Sequence, residues 1–179
     1  MFEKYALFRV LKALDSDKGS VRDISRKAVV GPSTSKACLD YLFSKGIVKK
    51  KIAGRSHYYS LDLSNFLSRH IKIFLALKEL NDSNLVAEIT EKYPAISVVL
   101  YGSVARGEGD SKSDLDILII TRKKIKMDSP RSEKKLKREV SYLVYTLQEW
   151  RTKAKEDKVF YDRVIIDGIS LYGEIPVVS

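Results

Sequence analysis

The sequence contains little cysteine or histidine and has no long apolar run. Its single cysteine, Cys38, excludes an internal disulfide framework. The two histidines, His57 and His70, stand apart, so they predict no zinc site. No apolar stretch approaches the roughly 20 residues that a membrane-spanning helix needs. The first residues form a charged amphipathic pattern unlike a signal peptide, and we therefore expect a cytoplasmic protein with no membrane partner.

Acidic side chains are outnumbered, with 23 Asp and Glu against 33 Lys and Arg, for a formal net charge of +10. Residues 1–62 hold 13 basic and 6 acidic side chains, whereas residues 63–179 hold 20 and 17. The front part therefore carries +7 of the charge and the back part +3. A basic front part attracts a polyanion. The alternative is a basic protein kept soluble by its charge.

Three helices are predicted at the front of the chain. Apolar residues at helical spacing place them at residues 3–14, 21–28 and about 34–45. Ser20 is the predicted cap of the second helix, and Ser33 or Thr34 that of the third. Gly46 is the predicted glycine at the end of the third helix.

A hairpin is predicted after the third helix. Two β-prone runs, Ile47–Ile52 and His57–Leu61, flank a basic tip that contains Gly54 and Arg55. Three helices followed by such a hairpin resemble the winged helix-turn-helix family. The resemblance implies that the third helix enters the major groove of double-stranded DNA and that the hairpin tip contacts the backbone or minor groove.

Short polar residues near the start of the third helix suit contacts with base edges, while lysines on the hairpin suit phosphates. The predicted DNA-binding residues are Ser33, Thr34, Lys36, Lys49, Lys50 and Arg55. Asp40 and the lack of an arginine on the outward helix face weigh against specific base reading. The alternative is a winged helix used for protein contact or dimerisation.

Residues 63–83 form a predicted helical connector. Its apolar positions are too broadly spread for one packing face, so it needs partners on more than one side. Either it packs between two domains or it pairs with its copy in a homodimer.

The most informative stretch runs from Ile96 to Thr121, where two apolar strands flank a polar loop. Gly102 has no side chain, so a phosphate can approach its backbone closely. Ser103 adds a hydroxyl and an amide at the start of a helical turn, where the dipole favours anions. Asp114 and Asp116 are two apart on an extended chain, so their side chains share one face.

Two neighbouring carboxylates repel each other unless a cation lies between them. Hard oxygen ligands suit Mg²⁺, or Mn²⁺, shared with the phosphates of a nucleoside triphosphate. Arg106 is placed to steady those phosphates or a leaving pyrophosphate. The alternative is a strand edge with two solvated aspartates. The basic loop 122–126 is either a solvated surface or an extension of the positive charge around the nucleotide.

The same residues resemble the nucleotidyltransferase superfamily that includes DNA polymerase beta, and within it the minimal nucleotidyltransferases. Gly102 and Ser103 followed by Asp114 and Asp116 match its pattern, and residues 168–174 resemble its final strand. The resemblance implies nucleotidyl transfer to a hydroxyl acceptor. Because minimal members often modify a partner toxin, it also admits a partner toxin protein.

The resemblance also implies a third metal carboxylate on a later strand, predicted at residues 139–146. The expected position holds Ser141, which departs from the pattern. Glu139, two residues earlier on the same face, is the predicted substitute and third catalytic residue. If Glu139 does not serve, the fold stands but catalysis is in doubt.

These observations predict an α+β protein: an N-terminal winged helix-turn-helix joined by helices to a small mixed-sheet nucleotidyltransferase domain. The predicted parts are residues 1–62, a connector at 63–83 and the nucleotidyltransferase domain at 84–179. The first hypothesis for function is a magnesium-dependent nucleotidyltransferase with a DNA-binding domain. The second is a DNA-binding transcriptional regulator whose degenerate transferase domain senses a nucleotide or mediates assembly.

Overall fold

The computed structural model describes residues 2–54, 56–110 and 113–178. The chain divides into two compact units, Met1–Lys72 and Ile73–Ser179, which are described separately. The division falls inside one long helix, in the stretch predicted as a connector. The three-part division of the chain stays a prediction.

The first unit contains three helices, a three-stranded sheet and the start of the long helix. A short 3-10 turn at Phe2–Lys4 comes first. The elements that follow are α1 (Ala6–Ser16), β1 (Gly19–Ser20), α2 (Val21–Ala28), α3 (Pro32–Ser44), β2 (Val48–Ala53), β3 (Ser56–Leu61) and α4 (Phe66–Ser83). The sheet order is β1-β3-β2, with both pairs antiparallel. Three helices, a short strand and a terminal hairpin in this order form a winged helix-turn-helix, as predicted.

The N-termini of α2 and α3 are capped in different ways. Ser20 caps α2 through a reciprocal capping box with Asp23, which confirms the predicted cap. The predicted cap of α3 is wrong, because Pro32 starts this helix and Gly31 occupies the cap position without a side-chain bond. The preset φ of proline favours the first helical position, so Ser33 and Thr34 fall inside the first turn. Gly46 ends α3 with φ +66° and donates to the Phe43 carbonyl at 3.0 Å.

The core of the first unit explains which face of α3 is free. Leu39 and Leu42 are buried against α1, α2 and the sheet, where Tyr59 and Leu61 complete the cluster. Ser35 lies on the same inward face and is fully buried. The opposite side of α3 is therefore left to solvent.

The second unit is a four-stranded mixed sheet with helices on both faces. Besides the end of α4, its elements are α5 (Leu85–Lys92), β4 (Ala95–Tyr101), α6 (Gly102–Ala105), β5 (Leu115–Thr121), a 3-10 turn (Arg131–Lys135), β6 (Val140–Thr146), α7 (Leu147–Glu156), α8 (Lys158–Asp167) and β7 (Ile169–Tyr172). The sheet order is β6-β5-β4-β7. Strands β5 and β6 are parallel, whereas β4 is antiparallel to both β5 and β7.

Strand β5 is buried on both faces from Ile117 onward, which explains the continuous apolar run Ile117–Ile120. Leu115, Ile117 and Ile119 pack against α4 and α5. Leu118 and Ile120 pack on the other face against α7 and α8, around Trp150. Strand β5 is therefore packed between two layers of helices.

The long helix α4 lies within the stretch predicted as a helical connector. It begins at Phe66 and ends at Ser83, inside residues 63–83. Asn84 adopts a left-handed backbone before α5, and the Ser83 hydroxyl accepts from the Leu85 amide at 3.1 Å. Among the residues that the structure describes, no helix has the length and apolar character needed to cross a membrane.

Candidate functional site

The centre of the candidate site is the contact between Gly102 and Asp116. Strand β4 ends at Tyr101, whose Cα pairs with that of Asp116 on β5. Gly102 then turns the chain with φ +78°. A Cβ at Gly102 would overlap Oδ2 of Asp116 and lie 3.1 Å from its Cγ. The positive φ favours glycine here, and any added side chain would also displace the neighbouring carboxylate, a consequence that the sequence analysis did not identify.

Asp114 and Asp116 lie at the start of β5, on the face that packs against α7 and α8 farther along the strand. Asp116 is half-buried and Asp114 is exposed. In the parallel register, Asp116 pairs with Ser141 of β6. Across the sheet, Asp116 is thus flanked by Tyr101 on one side and Ser141 on the other.

The charge of Asp116 is disfavoured by its surroundings. Burial raises the pKa of Asp116, and the negative charge of Asp114 raises it further, while Arg106 lowers it in part. Burial and the charge of Asp116 also raise the pKa of Tyr101 to about 12. A divalent cation between the two carboxylates would relieve this repulsion.

Tyr101 is a site residue that the sequence analysis missed. Its ring packs edge-on against Phe160 of α8, with 5.6 Å between ring centroids. Its position directly before the Gly-Ser pair was a sequence signal for the site. Its pairing with Asp116, however, follows from the register between β4 and β5, which the sequence does not show.

The predicted phosphate-binding residues lie in one short segment. Gly102–Ala105 forms a single helical turn, and Ser103 is half-buried within it. The Ser103 carbonyl accepts from the amides of Glu108 at 2.9 Å and Gly109 at 3.1 Å, which folds the following loop back. Arg106 Nε donates to Glu108 Oε2 at 2.8 Å. Because this pair is partly exposed, an incoming phosphate would compete with Glu108 for Arg106.

Glu139, the predicted third carboxylate, lies outside β6, at the edge of the site. Glu139 is exposed and precedes β6, and its carbonyl accepts from the Leu115 amide at 2.9 Å. Continuing the strand register places Glu139 beside Asp114. Among the described residues, no group of three or more His, Cys, Asp and Glu side chains could hold a metal ion. The metal role of Glu139 stays a prediction.

The donor set nevertheless fits a divalent cation. Asp114 and Asp116 offer carboxylate oxygens from one strand face, and the negative charge of Asp114 adds to burial in raising the pKa of Asp116. Magnesium commonly takes one or two carboxylates and completes its shell with phosphates and water. The two aspartates would hold the metal, and Gly102 and Ser103 would face the phosphates.

The basic loop 122–126 does not border this site. It follows the far end of β5, where the Arg122 amide donates to the Pro94 carbonyl at 3.2 Å ahead of β4. Asp116 is at the other end of β5, about 20 Å away at roughly 3.3 Å per residue. The alternative that this loop extends the charge around a nucleotide is therefore wrong.

The candidate DNA surface lies on α3 and the hairpin. Ser33, Thr34 and Lys36 are all exposed, although Lys36 forms an ion pair with Asp40 one turn later. The hydrogen bond to Asp40 raises the pKa of Lys36, and the carboxylate neutralises part of the positive charge. The structure therefore leaves the polar start of α3 open to solvent.

The hairpin lysines divide between two faces. Lys49 pairs with Ser60 and Lys50 pairs with Tyr59, so the two side chains point in opposite directions. Both are exposed. Arg55 lies outside the described residues. A DNA backbone on one side of the hairpin would thus meet Lys49 or Lys50 first, not both equally.

A comparison with protein families gives a match within the second unit. Residues 83–167 match the sequence model of the family described as "Nucleotidyltransferase domain". The comparison with functionally curated proteins found no match.

The similar solved structures each cover 49% of this chain, in its N-terminal half. A mutant of ZitR from Lactococcus lactis has 16% identity and a TM-score of 0.40. BpsR from Bordetella bronchiseptica, whose DNA binding is regulated by 6-hydroxynicotinic acid, has 19% identity and a TM-score of 0.35 over 64% of its length. The transcriptional regulator BldR from Sulfolobus solfataricus has 22% identity and a TM-score of 0.33, and the match covers 68% of its length.

The chain spans 60% of the length of ZitR. The element order and the sheet topology of the first unit show its winged-helix fold. The family match covers the Gly-Ser turn and both aspartates. Residues 83–167 thus match a nucleotidyltransferase domain in sequence, and they follow a winged helix-turn-helix domain.

Proposed function

We propose that the protein transfers a nucleotidyl group from a nucleoside triphosphate to a hydroxyl acceptor. The observation that supports this proposal is the contact of Gly102 with Asp116, which brings the Gly-Ser turn beside one of the two acids. A triphosphate on that turn would lie beside the two carboxylates. This arrangement joins a phosphate site to a cation site, as nucleotidyl transfer requires.

Each residue has a separate role in this proposal. The backbone at Gly102 and the hydroxyl and amide of Ser103 would bind phosphate oxygens. Arg106, released from Glu108, would steady the β- and γ-phosphates. Asp114 and Asp116 would hold Mg²⁺ or Mn²⁺, which neutralises charge on the reacting phosphate.

The transfer itself is a substitution at the α-phosphorus. The acceptor oxygen forms a bond to this phosphorus, and the bond to the bridging oxygen breaks, releasing pyrophosphate. The acceptor proton must pass to a base. Continuing the β5–β6 register by one residue puts Glu139 beside Asp114. We therefore assign Glu139 as this base and as the third carboxylate.

The test is single-turnover transfer from each α-labelled nucleotide with Mg²⁺, offered to nucleic acid, protein and small alcohols. We expect label to reach an acceptor with the wild type and not with Asp116→Asn. Asp128→Asn is the matched control, because Asp128 is an exposed aspartate paired with Lys92 on the surface. Absence of transfer to every acceptor would refute the proposal.

A regulatory function is the second candidate, and Ser141 is the observation that favours it. Ser141 pairs with Asp116, at the position where the resemblance expects an acid. A domain without that acid could bind nucleotide without turnover. Nucleotide-dependent DNA affinity with no transfer would support this candidate, while transfer that is lost in Glu139→Gln would oppose it.

DNA binding is the proposed role of the first unit. The exposed polar start of α3 and the lysines of β2 support it, as does the net charge of residues 1–62. A homodimer and a partner toxin protein stay predictions. Light scattering of the purified chain tests the first, and transfer of label to a co-purified protein tests the second.

A further inference from the structure

A buried arginine fastens the loop that leads into the two aspartates. Arg138 lies just ahead of β6, and its side chain is only 7% exposed. Its Nε donates to Oε2 of Glu79 at 3.1 Å, and its Nη1 donates to the carbonyl of Asp110 at 3.0 Å. One guanidinium group therefore joins α4 to the loop between the Gly-Ser turn and Asp114.

Glu79 fixes the other side of this connection. Its second oxygen, Oε1, accepts from the Lys137 amide at 3.0 Å. Both carboxylate oxygens thus bind consecutive residues of the segment that precedes β6. Because β6 pairs with β5 from Val140 onward, Glu79 also fixes the strand beside the acid pair.

The loop is closed on itself where Arg138 binds it. The Asp110 carbonyl also accepts from the Ser113 amide at 3.2 Å, and the Ser113 hydroxyl donates to Asp110 Oδ1 at 3.1 Å. These bonds hold Asp110 and Ser113 together but do not attach them to a helix. The bond from Arg138 to the Asp110 carbonyl connects this closed segment to α4 through Glu79, four residues before Asp114.

We propose that Arg138 is a positioning residue for the acid pair. Without contacting substrate, it holds Asp110 and Ser113 so that Asp114 keeps its place beside Asp116. This inference rests on the proposed function, because the spacing matters for a cation shared by the two carboxylates. Arginine suits the role because its rigid fork donates in two directions, whereas lysine is a single point charge.

The experiment compares Arg138→Gln, Arg138→Lys and Lys137→Gln in the full chain. Lys137→Gln is the matched control, because it removes the same charge one residue away and keeps the backbone bond to Glu79. The first measurement is hydrogen exchange of peptides from residues 108–116 and, for comparison, from β4. The second is the dissociation constant of Mn²⁺ with ATP, measured by calorimetry.

In Arg138→Gln we expect faster exchange in residues 108–116 with unchanged exchange in β4. The affinity for Mn²⁺ with ATP should fall about 10-fold to 100-fold, as for other residues that orient metal ligands. The exchange rate and the affinity of Arg138→Lys should lie between those of Arg138→Gln and the wild type. Lys137→Gln should match the wild type in both measurements. If Arg138→Gln does not fold, Arg138→Lys provides the same comparison.

Unchanged exchange in residues 108–116 in a folded variant would overturn the inference. So would an equal rise in exchange in β4, because that would indicate a general loss of stability. If the wild type binds no metal and nucleotide, the proposed function fails, yet the exchange comparison still decides whether Arg138 holds the loop.

Discussion

Gly102→Ala is the substitution that best separates the stability of the fold from the geometry of the site. Gly102 has φ +78°, a backbone conformation that costs a non-glycine residue about 1–2 kcal/mol. The added Cβ would overlap Oδ2 of Asp116, the free end of a rotatable side chain. The carboxylate can rotate away, so the total loss of stability should remain about 1–2 kcal/mol.

The main effect of Gly102→Ala should be on binding. Rotation of Asp116 moves a proposed cation ligand out of line with Asp114. We therefore expect the affinity for Mn²⁺ with ATP to fall about 10-fold or more. Isothermal calorimetry measures this affinity, and thermal unfolding measures stability, at roughly 2–4 °C per kcal/mol.

Two other glycines serve as controls. Gly54 has φ +58° and open space around its Cβ position, so Gly54→Ala reports backbone strain alone. Gly173 has φ +62°, and its Cβ would overlap the carbonyl oxygen of Ile96, which cannot rotate away. Gly173→Ala should therefore destabilise more, by about 2–4 kcal/mol.

The order of effects decides whether this reasoning holds. Stability should fall least for Gly54→Ala and most for Gly173→Ala, while Gly102→Ala alone should lose metal and nucleotide binding. If Gly102→Ala binds Mn²⁺ with ATP as the wild type does, the Gly102–Asp116 contact does not set the site.

Three further outcomes are expected. Lys50→Ala and Arg55→Ala should each lower the slope of log affinity for DNA against log salt by about one, and an unchanged slope would exclude phosphate contact by the hairpin. Tyr59→Phe should raise stability by up to about 1 kcal/mol, because the buried Tyr59 hydroxyl has no hydrogen-bond partner among the described residues; a clear loss in urea unfolding would contradict this. Bonds from the Ser132 hydroxyl and amide, and from the Arg131 amide, lower the pKa of Glu88 from 4.5 to about 2, so Glu88 contributes stability that is present above pH 4.5 and lost as the pH falls towards 2. Glu88→Gln should make the melting temperature depend less on pH over that range. If the variant has the same pH dependence as the wild type, these bonds do not persist in solution.

Much of the fold could be predicted because it depends on local pattern. The apolar run after the polar loop predicted β5, which the structure places at Leu115–Thr121. Ser20, directly ahead of the helical pattern, predicted the start of α2. The start of α3 was missed because Ser33 and Thr34 resemble caps, whereas Pro32 had already begun the helix.

The sequence by itself determined which residues form the candidate site, because Gly102-Ser103 and the two aspartates lie within one short stretch and the two-residue spacing puts both acids on one strand face. Only the tertiary structure decided what surrounds them. Tyr101 and Ser141 flank Asp116 through strand register, and Arg138 reaches Asp110 from the segment ahead of β6. Register across a sheet depends on how buried faces pack, and residues distant in sequence carry no local signal of that pairing.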